Sequence, residues 1–155
     1  MRQKRSVCIT AARLFAFFAV FSPITSYGEN VQSNLADLFV HVAGIDPVGG
    51  RVNYALYNSA KYFPTHNGRL FKGQVNAFSE RITITIKGLQ AGYYAMALYH
   101  DENFNQKFDQ GWFGIPLENY GFSNDARGIF RAPSFEDAKF FVKGRKTEIT
   151  VNLSR

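Results

Sequence analysis

Between His100 and Asp109 the chain sets oxygen-bearing side chains at alternate positions, Asp101, Asn103 and Asn105, with Asp109 closing the series. In a D-x-N-x-N-x-x-x-D pattern these are the first, third, fifth and ninth places from which calcium loops draw ligands, and the backbone carbonyl of Lys107 falls at the seventh. Calcium takes roughly six to eight oxygens, and this set supplies most of them. The twelfth place, where helical calcium loops have a bidentate Glu, is Trp112. Glu118 is the next carboxylate able to return to the loop. With so few anionic ligands the expected affinity is weak, on the order of 10⁻⁴ to 10⁻³ M. The same residue types have a plainer use: Asp and Asn accept from nearby backbone amides in Asx turns, and successive turns build a loop with no ion.

A second constellation joins His100 and Asp101 to Glu118, Ser123, Asn124 and Asp125. A hydrolase-type enzyme would use His100 as general base beside a loop carboxylate. However, adjacent strand residues point to opposite faces, which separates His100 from Asp101, and Ser123 lacks a turn motif that would present it as a nucleophile. The leading expectation is therefore a non-catalytic binding or accessory module, with His100, Trp112, Tyr120, Ser123 and Asn124 as candidates for a ligand surface. A hydrolase should bring His100 and Glu118 together in a cleft; a binding module should expose Trp112 or Tyr120. The chain has no Gly-rich phosphate loop, no G-x-S-x-G and no Cys/His cluster.

The elements that must hold these loops read as strands. Leu38–Gly44 places Leu38, Val40 and Val42 on one face and His41 on the other; Arg51–Asn58 follows a turn-rich segment with Val52, Tyr54 and Leu56 inward, and the two read as a hairpin. Residues 59–74 lose all period, and their aromatics Tyr62, Phe63 and Phe71 either cover one end of the core or line a groove. Val75–Phe78 is a short strand, and Arg81–Lys87 alternates Ile and Thr. Tyr93–His100 is apolar at nearly every position, so it should be central, covered on both faces, and a firm platform for the Asp101 loop. Ser134, with Asp137 three residues on, suits a capped helical turn, and Lys146–Leu153 closes the domain with Ile149, Val151 and Leu153 inward. About seven short strands with one helical turn indicate an all-β, antiparallel sandwich of immunoglobulin-like or transthyretin-like type.

The chain has 155 residues, of which 46% are apolar, enough for one core and too few for two ordinary domains. Its net charge of +6 comes largely from Arg2, Lys4, Arg5 and Arg13, because the first 28 residues contain no acid; without them 14 basic residues face 12 acidic ones. Scattered over the remainder, those charges argue against nucleic acid as a partner. The basic start, the apolar run from Leu14 to Ile24 and the small-residue exit Ser26-Tyr27-Gly28 have the form of a secretory signal peptide. The run is well short of the ~20 residues needed to span a bilayer, and Pro23 interrupts it. Residues 1–28 are thus expected to be removed, leaving a single domain, 29–155, exported to the periplasm or medium without a transmembrane span. Its partner would be a protein, glycan or small molecule there. The one cysteine, Cys8, leaves with the leader, so the domain must be held by its core, with or without an ion.

Leu89-Gln90-Ala91-Gly92-Tyr93-Tyr94, running on to Asp101, resembles the transthyretin-like or Cna-B-like sandwich modules, where a strand after L-x-x-G-x-Y ends in an Asp/Asn loop. The segments Ala55–Asn58, His100–Asp109, Phe113–Gly128 and Ala132–Phe140 together resemble the domain of unknown function 2141 family, an exported bacterial group. That resemblance implies a β-sandwich outside the cytoplasm and no particular activity. One departure concerns the loop: the related pattern has Gly at its sixth position and this chain has Gln106, so a residue with a Cβ must make the sharp turn.

Overall fold

The computed structural model describes residues 35–129 and 131–155. The expected leader, its cleavage site and Cys8 lie outside the described residues. Eight strands form two sheets: β1 (Leu35–Ala43), β2 (Arg51–Tyr57), β3 (Phe71–Asn76), β4 (Arg81–Gln90), β5 (Gly92–Asp101), β6 (Tyr120–Phe122), β7 (Phe140–Val142) and β8 (Lys146–Asn152). One sheet has the order β4-β1-β8; the other runs β3-β2-β5-β6, with β7 also paired to β5. This is the expected all-β sandwich.

Alternation in the sequence becomes an inner face. Leu38, Val40 and Val42 of β1, Ile84 and Ile86 of β4 and Val151 of β8 meet Val52, Leu56, Tyr94, Met96 and Leu98 of the opposite sheet in one buried cluster. His41 points outward and shares a hydrogen bond with Thr83 at 3.1 Å. Strand β5 is covered fully on its inner face and partly on its outer one, where Ala95 is buried, Ala97 and Tyr99 are half-buried and Tyr93 is exposed. Its outer face carries Ala95 into a second cluster with Ala55, Tyr57, Phe63, Phe122, Ala126, Phe135 and Ala138. The 59–70 segment supplies Phe63, whose ring stands edge-on to Tyr57, Phe122 and Phe135 at 5.3, 5.8 and 6.0 Å. Tyr62 and Phe71, the latter the first residue of β3 rather than part of the loop, remain exposed, so Phe63 is the one of the three aromatics that closes the core. The helical turn α1 (Phe135–Ala138) forms with both halves of the capping box between Ser134 and Asp137 in place.

Strand β3 begins at Phe71, earlier than the expected Val75–Phe78, and two features of connectivity also differ from expectation. Strands β1 and β2 do not make a hairpin: β1 pairs with β4 and β8, whereas β2 pairs with β3 and β5. The turn formers between them carry the chain from one sheet to the other, and turn residues alone do not separate a tight reversal from such an arch. Strand β8 lies parallel to β1, with Val40 opposite Ile149 and Val42 opposite Val151. The chain reaches β8 by crossing from β7 in the other sheet, so no hairpin sets its direction.

Candidate functional site

Strand β5 delivers His100 and Asp101 fully buried at its carboxyl end. The start of β2 approaches so closely that a Cβ at Gly50, whose φ is +67°, would stand 2.3 Å from the Asp101 carbonyl oxygen. Only a residue without a side chain fits there. The Asp101 carboxylate then organises the loop: Oδ1 accepts from Asn105 N at 3.1 Å and Oδ2 from Gln106 N at 2.9 Å. Asn103 Oδ1 accepts from Asn105 N at 3.0 Å and Asn105 Oδ1 from Lys107 N at 2.8 Å, which are successive Asx turns. Phe104 and Gln106 take left-handed φ values of 63° and 61°. Gln106 therefore makes the sharp sixth-position turn despite its Cβ, and the departure from glycine does not prevent the loop's wrapping.

Asp109 closes the circle. It accepts Asn103 Nδ2 at 2.7 Å and Asn105 Nδ2 at 3.0 and 2.9 Å. Glu118, nearly fully buried, returns from the following segment as the sequence suggested, but to hold backbone: Oε1 accepts from Glu102 N at 3.2 Å and Oε2 from Asp109 N at 3.0 Å. Lys107 is exposed. The loop is thus self-satisfied, and among the described residues no three His, Cys, Asp or Glu side chains stand together as a ready metal cage. For calcium to enter, Asn103 and Asn105 would have to release the Nδ2 bonds they donate to Asp109 and turn their Oδ1 atoms from the Asn105 and Lys107 backbone amides toward the ion.

Burial raises the Glu118 carboxyl from its ordinary value; the two backbone amides oppose this, while the negative charges of Asp109 and Asp101 add to it. A carboxyl with a raised folded value binds its proton more readily in the folded state than in the unfolded state. Its contribution to stability therefore grows as pH falls through the folded value, levels off below the ordinary Glu value, and is lost as pH rises. Titrating denaturant midpoints from neutral pH into the acid range should show this increment in the native chain and not in Glu118→Gln; parallel curves would contradict it.

Phe108 anchors the far side of the loop, with its ring 5.5 Å from Tyr99 and 5.7 Å from Tyr120. From there residues Asp109–Leu117 fold into a narrow hairpin: Leu117 N donates to Asp109 O at 3.0 Å and Gly111 N to Ile115 O at 2.8 Å. At its tip Trp112 is 87% and Phe113 98% exposed. Tyr120 is half-buried, with the Arg127 guanidinium 4.9 Å from its ring centre.

Of the remaining candidates His100 and Ser123 are interior, whereas Asn124 and Asp125 are exposed. His100 Nε2 lies 2.6 Å from the Gly49 carbonyl, and Nδ1 is buried without a partner. Among the described residues no carboxylate bonds to it. Ser123 is fully buried; its hydroxyl donates to Ala138 O at 2.5 Å and accepts from Met96 N at 2.9 Å, tying β5 to α1. Asn124 donates from Nδ2 to Lys139 O at 2.7 Å, and Asp125 accepts from Asn152 N at 2.9 Å. His100 and Ser123 consequently offer no ligand surface, because their polar atoms face the interior. What reading the residues missed is the apolar run Trp112-Phe113-Gly114-Ile115 as one projecting tip; its signal was the absence of any charge between Asp109 and Glu118.

Residues 40–150 match the model of a family described as "Uncharacterized protein conserved in bacteria (DUF2141)". No curated protein and no solved structure matches the chain. Among the described residues no helix is long and apolar enough to cross a membrane.

Proposed function

The chain belongs to the DUF2141 family of bacterial proteins, and we propose, from the geometry of its loop end, that it is a non-catalytic binding or accessory module acting outside the cytoplasm. One observation carries this reading: Trp112 and Phe113 stand 87% and 98% exposed on a hairpin whose base, at Asp109 N, is held by buried Glu118. Large aromatics held out in water are poor for solubility and good for binding, since each offers a large apolar area at little cost in side-chain freedom. The competing hydrolase is disfavoured by the interior placement of His100 and Ser123.

Replacing both Trp112 and Phe113 by alanine removes the tip without touching either core cluster, so the melting midpoint should stay within a degree or two while association with other envelope components is lost. Co-fractionation of the native chain and the double variant from the same cells measures this; identical profiles would sink the reading. Export rests on the leader. Mass spectrometry of the chain recovered from its native envelope should find an N-terminus near Glu29, and an intact Met1 would overturn it.

A second reading adds weak calcium to the same end. It is favoured by the left-handed Gln106, which lets Asp101, Asn103, Asn105 and the Lys107 carbonyl follow one another round a tight loop, with Asp109 and Glu118 as the further carboxylates. Bound there, calcium would replace the amide donors that now neutralise Asp109 and stiffen the base of the tip.

A further inference from the structure

Resting on the reading that the tip is the recognition surface, we infer that its occupant is lipid: Gly111–Leu117 inserts into the interfacial layer of a bilayer. The segment carries no charge and presents Trp112, Phe113, Ile115 and Leu117 to solvent. It is a convex hairpin rather than a groove; a cavity of about 400 Å³ lies elsewhere, on the open face of the other sheet beside His41 and Thr83.

Three observations favour lipid over a protein partner. The first is area. Two aromatic and two aliphatic side chains cover on the order of 600 Å², less than the ~800 Å² per partner of a stable protein interface, and a flat partner would reach only one side of a projecting tip. A bilayer surrounds it. The second is the backbone. Gly111, Gly114, Ile115 and Leu117 all donate their amides within the hairpin, and Pro116 has none to donate, so most of the tip enters an apolar layer without an orphaned N–H. The third is the sequence of polarity along the chain: the run lies between Asp109 and Glu118, whose carboxylates are held in the hydrogen-bonded base of the hairpin, so the polar loop beneath limits insertion to the depth of the headgroups, where an indole N–H still finds acceptors.

Trp112 is the single tryptophan of the chain, so its emission reports this tip alone. With phosphatidylcholine vesicles the emission should move to shorter wavelength and be quenched by vesicles made with brominated acyl chains. Phe113→Ala and Ile115→Ala should each weaken partitioning, the former by about tenfold, as loss of a large buried apolar group implies. All samples carry the same N-terminal segment, so differences among them belong to the tip. Emission that does not respond to excess vesicles would overturn the inference, as would a chain that sediments with vesicles while Trp112 stays unquenched. A blue shift that grows with protein concentration in the absence of lipid would assign the tip to self-association and likewise overturn it. Loss of vesicle binding alongside retained, Trp112-dependent capture of an envelope protein would reject lipid and leave the recognition end standing.

Discussion

Met96→Ala and Ile84→Ala should each lower the unfolding free energy by ~2 to 5 kcal/mol, the range for large-to-alanine changes in a packed core. Both side chains are essentially inaccessible, 0% and 1% exposed, and they come from opposite sheets of the sandwich. Met96 belongs to the central strand β5, flanked by β2 and β6, so a void there has no flexible edge to collapse it. Its amide is also the donor to Ser123 Oγ, which makes this position a joint between both clusters. Ile84 sits on β4, at the edge of the smaller sheet, where partial relaxation should bring the loss toward the lower end. Urea melts check both. A cost under about 0.5 kcal/mol for either would mean that its side chain does not face the core.

Asp101→Ala should cost ~1 to 3 kcal/mol, because it takes an ionised acceptor from two amides at the base of the loop. Among the described residues Gln106 N has no other acceptor, whereas Asn105 N keeps Asn103 Oδ1, so the loss is that of one full bond and one shared bond. Calcium adds a separate, ion-dependent effect. An ion that binds only the folded state stabilises by RT ln(1 + [L]/Kd), about 2.7 kcal/mol at a hundredfold excess over Kd. For a Kd near 10⁻⁴ M, roughly 10 mM calcium should raise the melting midpoint by several degrees, and magnesium far less because it resists dehydration. Asp101→Ala and Asp109→Ala should remove that rise. Equal responses to both ions would leave the loop held by its own hydrogen bonds and retire the calcium proposal.

The strands with long alternating or continuous apolar sequence were legible: Arg81–Lys87 lies within β4 and Tyr93–His100 within β5, on the faces their residue types dictate. The capped turn at Ser134 was equally plain, since both partners of a capping box are local. Sheet membership was not. Whether the segment after Ala43 reverses or crosses depends on which sheet buries the faces of β2, a long-range outcome that no turn residue encodes. The three-residue strands β6 and β7 are too short to show any period, so the sequence pattern does not mark Tyr120–Phe122 or Phe140–Val142 as strands. At the site, the spacing of Asp101, Asn103, Asn105 and Asp109 marked the loop and Glu118 stood out as the next carboxylate, but its return depends on the hairpin between them, which the sequence does not place. The burial of His100 and Ser123 depended on what the 44–50 arch and α1 bring against them, and their own residue types favoured the opposite expectation.

The claim that Trp112 and Phe113 form the recognition surface is tested most directly by a photoreactive residue placed at position 112, with position 85 as control. Thr85 is exposed on the outer face of the other sheet, away from both clusters. Irradiation of cells making either form should yield adducts from position 112 and few or none from position 85. Equal adducts at the two positions, or none at 112, would contradict the account.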